Sequence, residues 1–118
     1  MAEEQPPKAR RSSNVFPLEK VRLRKRVLGA ISAALDERAP IVTATATEQM
    51  NDLDINVSQI LHGIKRAEIV EFSEDVANGR VLFTAKLLSA GEEFFVAGGV
   101  ERVVPFPGVY VVIKGVWR

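Results

Sequence analysis

The chain contains no cysteine and a single histidine, His62. The first absence excludes thiolate nucleophiles, iron–sulfur clusters, Cys-rich zinc sites and disulfides. The second means that a Ser-His-Asp arrangement would have to be built on His62, which falls at a helix-to-strand corner. His62 also lacks a second histidine, and Glu71, Glu74 and Asp75 show no ligand spacing, so neither a metal nor a cofactor is expected. Gly98-Gly99 lacks the following helix and the Lys-Ser/Thr of a phosphate-binding loop. No apolar run approaches the ~20 residues needed to span a bilayer, so no membrane partner is expected. The opening stretch has no apolar core of the secretory kind, which makes the cytoplasm the expected compartment.

What is present is an uneven distribution of charge. Residues 1–38 hold nine Lys/Arg against five Asp/Glu, and residues 39–118 hold seven against ten. A basic arm and helix on a mildly acidic body suit an anionic partner, or contact between arm and body. At 118 residues the chain is one domain with a tail. Residues 1–15 are polar, carry Pro6 and Pro7 and show no periodicity, which reads as a disordered basic arm before a single domain at 16–118.

Periodicity divides that domain. Pro17 suits a first helical turn, and Leu18, Val21, Leu28, Ile31 and Leu35 recur at spacings of three, four and seven, predicting an amphipathic basic helix over 16–39. Residues 41–47 read either as a strand or as a short strand, Ile41–Thr43, with a helix opening near Thr45 and Glu48 completing a capping box. The second reading is preferred. Asn56 then caps a helix over Val57–Lys65 that buries Val57, Ile60, Leu61 and Ile64. From Ala67 the period becomes two. Strands are predicted at Ala67–Phe72, Arg80–Leu88, Phe94–Ala97 and Val109–Lys114, with turns at Asn78-Gly79 and Gly91-Glu92. Gly98-Gly99 marks a bulge or a close backbone approach, and Pro105 and Pro107 stiffen the loop Val104–Gly108. The expected fold is α+β: N-terminal helices on one face of an antiparallel meander of about four strands.

Residues 41–117 resemble a small bacterial domain family of unknown function placed near the BrnT and RelE-like toxins. That family reads His-Ala-x-x-Arg-Met, a later Arg, and an Ile opening a second helix that ends in Gly. Here Thr45-Ala46-Thr47-Glu48-Gln49-Met50 occupies the first stretch, Leu53 the later Arg position and Ile55 the Ile. Val57, Ile60 and Leu61 supply the helix and Gly63 its end, while Gly79, Gly91 and Val109–Lys114 follow in order. In the toxin relatives, RNA cleavage is thought to rest on the basic groups of this motif. Thr45, Gln49 and Leu53 supply neither base, acid nor phosphate-binding cation at neutral pH. The resemblance therefore implies a toxin-like fold that has lost its catalytic residues, binding a protein or RNA partner.

Three sets of residues are candidates for that work. The basic helix face and its neighbours, Arg22, Lys25, Arg26, Lys65 and Arg66, could dock a partner or contact phosphates, although charge runs are commonly just solvated helix faces. His62, Lys65 and Arg66 at a helix C-terminus are also favoured there by the helix dipole alone. Tyr110 and Trp117 on the last strand are residue types enriched at binding hot spots, or ordinary edge-strand aromatics. The alternative function, an mRNA-cleaving toxin, would have to use Arg80, Lys86, Lys114 and Arg118. A homo-oligomer paired through the Leu18–Leu35 stripe is the remaining expectation.

Overall fold

The computed structural model describes residues 17–118; the arm read at 1–15 lies outside the described residues. Helix α1 (Pro17–Glu37) is followed by a two-residue strand β1 (Ile41–Val42), α2 (Ala44–Leu53) and α3 (Val57–Ile64). Strands β2 (Glu68–Asp75), β3 (Arg80–Ser89), β4 (Glu92–Arg102) and β5 (Val109–Trp117) complete the order, with a 3-10 turn at Val76–Asn78. The fold is α+β as expected, but the sheet has five strands in the order β1-β5-β4-β3-β2. β2 to β5 form an antiparallel meander, and β1 joins β5 in parallel through Ile41↔Val112 and Val42↔Ile113. β1 is the short strand expected at Ile41–Thr43, one residue shorter, and it is the fifth strand beside the expected meander of four.

The helices cover one face of the sheet. Val27, Ile31 and Ala34 of α1, Ala46 and Met50 of α2, and Ile60 and Ile64 of α3 share one core with the sheet. Its sheet side is Phe83, Ala85 and Leu87 of β3, Phe94, Val96 and Val100 of β4, and Val111, Ile113 and Val116 of β5. Each large side chain here contributes about 1.5–3 kcal/mol by leaving water. The buried arc of α1 is turned from the expected stripe. Val27 is inside while Val21 is 47% exposed. Ile31 is fully buried in the chain's own core. Pairing two copies along the whole Leu18–Leu35 stripe would require that core to open, which corrects the stripe as a dimer surface.

Several local expectations are corrected too. The N-cap of α2 is Thr43, whose hydroxyl accepts from the Ala46 N–H at 3.2 Å, so Thr45 and Glu48 form no capping box. Asn56 does cap α3, in a reciprocal box with Gln59. Leu61, expected inside, is exposed. Only Gly79 of the Asn78-Gly79 pair has positive φ, +60°. The β3–β4 turn is Ala90-Gly91, with φ of +53° and +81°, one residue earlier than expected. Ser89 pairs with Glu92 across it, so this is the two-residue turn whose twist matches a hairpin. Gly98 serves both expected roles. The β4–β5 register shifts between Ala97 and Gly98, and a Cβ at 98 would fall on the Val112 carbonyl oxygen.

Candidate functional site

The basic face of α1 comes from helical spacing, since Arg22, Lys25 and Arg26 stand at i, i+3 and i+4. Arg22 and Lys25 are exposed on the outer face. Arg26 reaches back over the sheet edge and donates to Glu74 Oε1 at 2.6 Å. At the end of α3, Lys65 donates to Asp36 Oδ1 at 2.7 Å, tying α3 to α1. Arg66 and His62 are exposed, and with Lys65, Leu35 and Leu61 they rim a shallow depression of about 410 Å³. Arg22 and Lys25 thus keep their charges toward solvent, whereas Arg26 and Lys65 each face a carboxylate.

The other face of the sheet carries no helix, and its side chains follow from register. Glu68 and Lys86 are paired across β2–β3, and Lys86 Nζ lies 3.4 Å from Glu68 and 3.8 Å from Glu93. Arg80 Nε donates to Asp75 Oδ2 at 3.1 Å. Lys114, the extra residue at the β5 bulge, places Nζ 3.0 Å from Glu101 Oε2. That contact is an ion pair off the hydrogen-bond direction, because Glu101 Oε2 is buried without a directed donor. Glu101 lies flat over Gly99, where a Cβ would collide with its carboxylate.

The charges of this open face therefore run in columns, one sign per strand. β2 presents Glu68, Glu71 and Asp75, β3 Arg80 and Lys86, β4 Glu93 and Glu101, and β5 Lys114. Opposite signs in adjacent columns cancel within a few ångströms, so the face offers no concentrated field for an anion. Asp75 is held below the ordinary carboxylate range, chiefly by Asn78, whose side-chain amide donates to Oδ2 at 2.7 Å. Desolvation opposes this, and the Asn78 backbone N–H and Arg80 add to the lowering.

Between these columns lies a trough. Glu71, Thr84, Ala97 and Gly115 are consecutive cross-strand partners, and three of them are small. The concave space here, about 910 Å³, is lined by Arg24 of α1 together with Glu71, Ser73, Leu82, Thr84, Ala97 and Lys114, among others. The next outward row along the strands is Lys86, Phe95 and Trp117. Phe95 and Trp117 stack with centroids 5.8 Å apart, and Trp117 remains 41% exposed. Leu88, on the same face, is 64% exposed.

The residues proposed for catalysis do not converge. Arg80 and Lys86 are six positions apart on one strand, about 20 Å. Arg118 is turned away to Glu92 Oε1 at 2.6 Å and the Leu53 carbonyl at 3.3 Å. Nor do the positions aligned with the toxin motif form a polar site. Thr45 is exposed, Leu53 packs against the core, and Gln49 uses its Oε1 to accept the Val116 N–H at 2.9 Å. Tyr110 is half-buried, with the Arg38 guanidinium 5.4 Å over its ring and Phe106 edge-on at 6.2 Å. Trp117 is the more accessible of the two aromatics.

The sequence reading passed over Phe95, Leu88 and the loop tip, where Val104 is 89% exposed. Alternation along Phe94–Ala97 and Arg80–Leu88 contains the signal for the first two, because Phe95 and Leu88 occupy the outward parity. Among the described residues no group of three His, Cys, Asp or Glu could hold a metal ion, and no helix is long and apolar enough to cross a membrane. Comparison with family models, with curated proteins and with solved structures found no match for this chain.

Proposed function

We infer that this chain is a non-catalytic interaction domain on a RelE/BrnT-like scaffold, working in the cytoplasm and binding a protein partner through the outer face of α1. One observation carries the reading. Arg80, Lys86, Lys114 and Arg118 each stand within 4 Å of a carboxylate, on different parts of the sheet. RNA cleavage through the 2′-OH needs a base, an acid and a cation gathered on one phosphate. Arg22 and Lys25 are exposed on the helix face that points away from the core, and they suit an acidic protein surface. Two helical cations are few for RNA, where each neutralised phosphate adds a further step of salt-dependent affinity.

The test is an RNA-cleavage assay run beside a salt series of binding to a short single-stranded RNA. The expected result is no cleavage above background and a shallow salt slope. Capture of a protein partner by wild-type chain, lost in an Arg22→Glu/Lys25→Glu variant, completes the case. Cleavage that disappears in an Arg80/Lys86/Lys114 triple variant would overturn it and establish the mRNA-cleaving toxin instead.

A further inference from the structure

We propose that the helix-free face of the sheet binds a second copy of this chain in a two-fold dimer. The argument starts from the order of charge columns, acidic on β2, basic on β3, acidic on β4 and basic on β5. A two-fold interface brings a patch against itself, so the patch must be self-complementary. An alternating pattern of four columns becomes its own complement when its order is reversed. A two-fold axis parallel to the strands, running between β3 and β4, performs that reversal. It sets β2 of one copy over β5 of the other and β3 over β4; row by row, Arg80 then faces the other copy's Glu101, while Glu68, Glu71 and Asp75 face its Trp117, Gly115 and Tyr110. An axis perpendicular to the strands would instead lay each column on its own kind.

The same axis leaves position along the strands unchanged, so cross-strand rows face themselves in reverse. At the centre Thr84 faces Ala97 of the other copy across the two troughs. One row toward Trp117, Lys86 lies over the partner copy's Phe95, a cation over an aromatic face. One end row toward the other side, Arg80 lies over Glu101, whose side chain is 17% exposed beside Lys114. Stacked sheets sit about 10 Å apart, within the combined reach of Arg and Glu side chains. The exposed Leu88 and Trp117 lose water in the contact.

Size sets the strength. Four strands of about eight residues present roughly 19 by 26 Å, or about 1,000 Å² over both copies, the lower limit for a specific interface. The two troughs meet mouth to mouth and enclose a wet channel from Glu71 to Gly115, so the rows on either side carry the contact. The association is consequently weak and depends on concentration. It does not depend on what α1 binds, and it leaves both copies of α1 facing outward.

The experiment is sedimentation of the full chain over a concentration series, for wild type, Arg80→Glu, Glu101→Arg and an equimolar mixture of the two variants. Each variant alone sets like charges against each other twice in the dimer, and its self-association should weaken at least tenfold. In the mixture both contacts become Glu–Arg, so a mixed dimer should form with nearly wild-type affinity. Disturbance of the Asp75 or Lys114 contacts within one chain would not be repaired by mixing. A wild type that stays monomeric to about 1 mM overturns the proposal. So does a mixture that fails to associate while wild type dimerises.

Discussion

Gln49 Oε1 accepts the backbone N–H of Val116 at 2.9 Å, joining the middle of α2 to the end of β5. β1 pairs with β5 only at Val112 and Ile113, so the edge of β5 beyond them has no strand neighbour. A side-chain amide supplies the acceptor that a longer β1 would have provided. Gln49→Ala should cost about 1–3 kcal/mol, the penalty of a buried N–H left without a partner. Gln49→Glu keeps an acceptor and should retain most of that stability. Gln49→Arg offers only donors and should destabilise without creating ribonuclease activity. Chemical denaturation and an RNA-cleavage assay decide both points.

Ala90 holds φ at +53° in the β3–β4 turn, a conformation that costs an L-residue with a Cβ about 1–2 kcal/mol. Ala90→Asn creates Asn-Gly, the pair this turn favours, and should raise stability by about 0.5–1 kcal/mol. A rise in the denaturation midpoint with an unchanged slope is the expected reading. A lowered midpoint would show that Ala90 is held by something other than turn geometry.

Gly98 allows β4 to approach β5 where the register shifts. A Cβ there meets the Val112 carbonyl oxygen, and the Phe83 ring lies 3.2 Å away. Backbone cannot give way as a flexible side chain can. Gly98→Ala should therefore destabilise by about 2–3 kcal/mol, despite the ordinary gain from removing glycine in a strand. Gly115→Ala is the control, since its nearest contact would be 3.6 Å from Gln49 Oε1, and it should be far milder.

Asp75 gives the fold a pH-sensitive contact. Its folded pKa lies below the ordinary value, first through the Asn78 side-chain bond. A depressed carboxylate pKa stabilises the fold above the unfolded pKa, and that stabilisation is lost as pH falls through the folded one. Asn78→Ala should move the Asp75 midpoint upward in a carboxyl NMR titration and flatten the acid-side fall in stability. An unmoved midpoint would assign the shift to Arg80 instead.

The alternation of residues 68–117 makes the meander legible because each strand keeps one face in the core. Asn56 is legible as a cap because Gln59 stands three residues on. Thr43, Thr45 and Thr47 all offer a cap hydroxyl, and the choice falls to Thr43 because residues 41–42 are drawn into the sheet by Val112 and Ile113. No local pattern reports that long-range pairing. In α1, Val21 and Val27 are equally apolar, and only the position of the helix on the sheet decides which is buried. The cations of the last three strands are plain in the sequence. Their carboxylate partners depend on register, with Lys86 meeting Glu68 and Lys114 meeting Glu101.

β5 is the last strand in order of synthesis, yet it lies between β1 and β4 and is the strand on which α2 packs. While residues 109–117 are still inside the ribosome, Ile41 and Val42 have no strand to join and α2 has no surface to rest on. The β2–β4 meander can emerge first, but the amino-terminal helices cannot settle on it in their final places. The sheet and its helices accordingly reach their final packing only after Trp117 has left the exit tunnel, and until then the buried sides of α1 and α2 lack part of the surface that covers them.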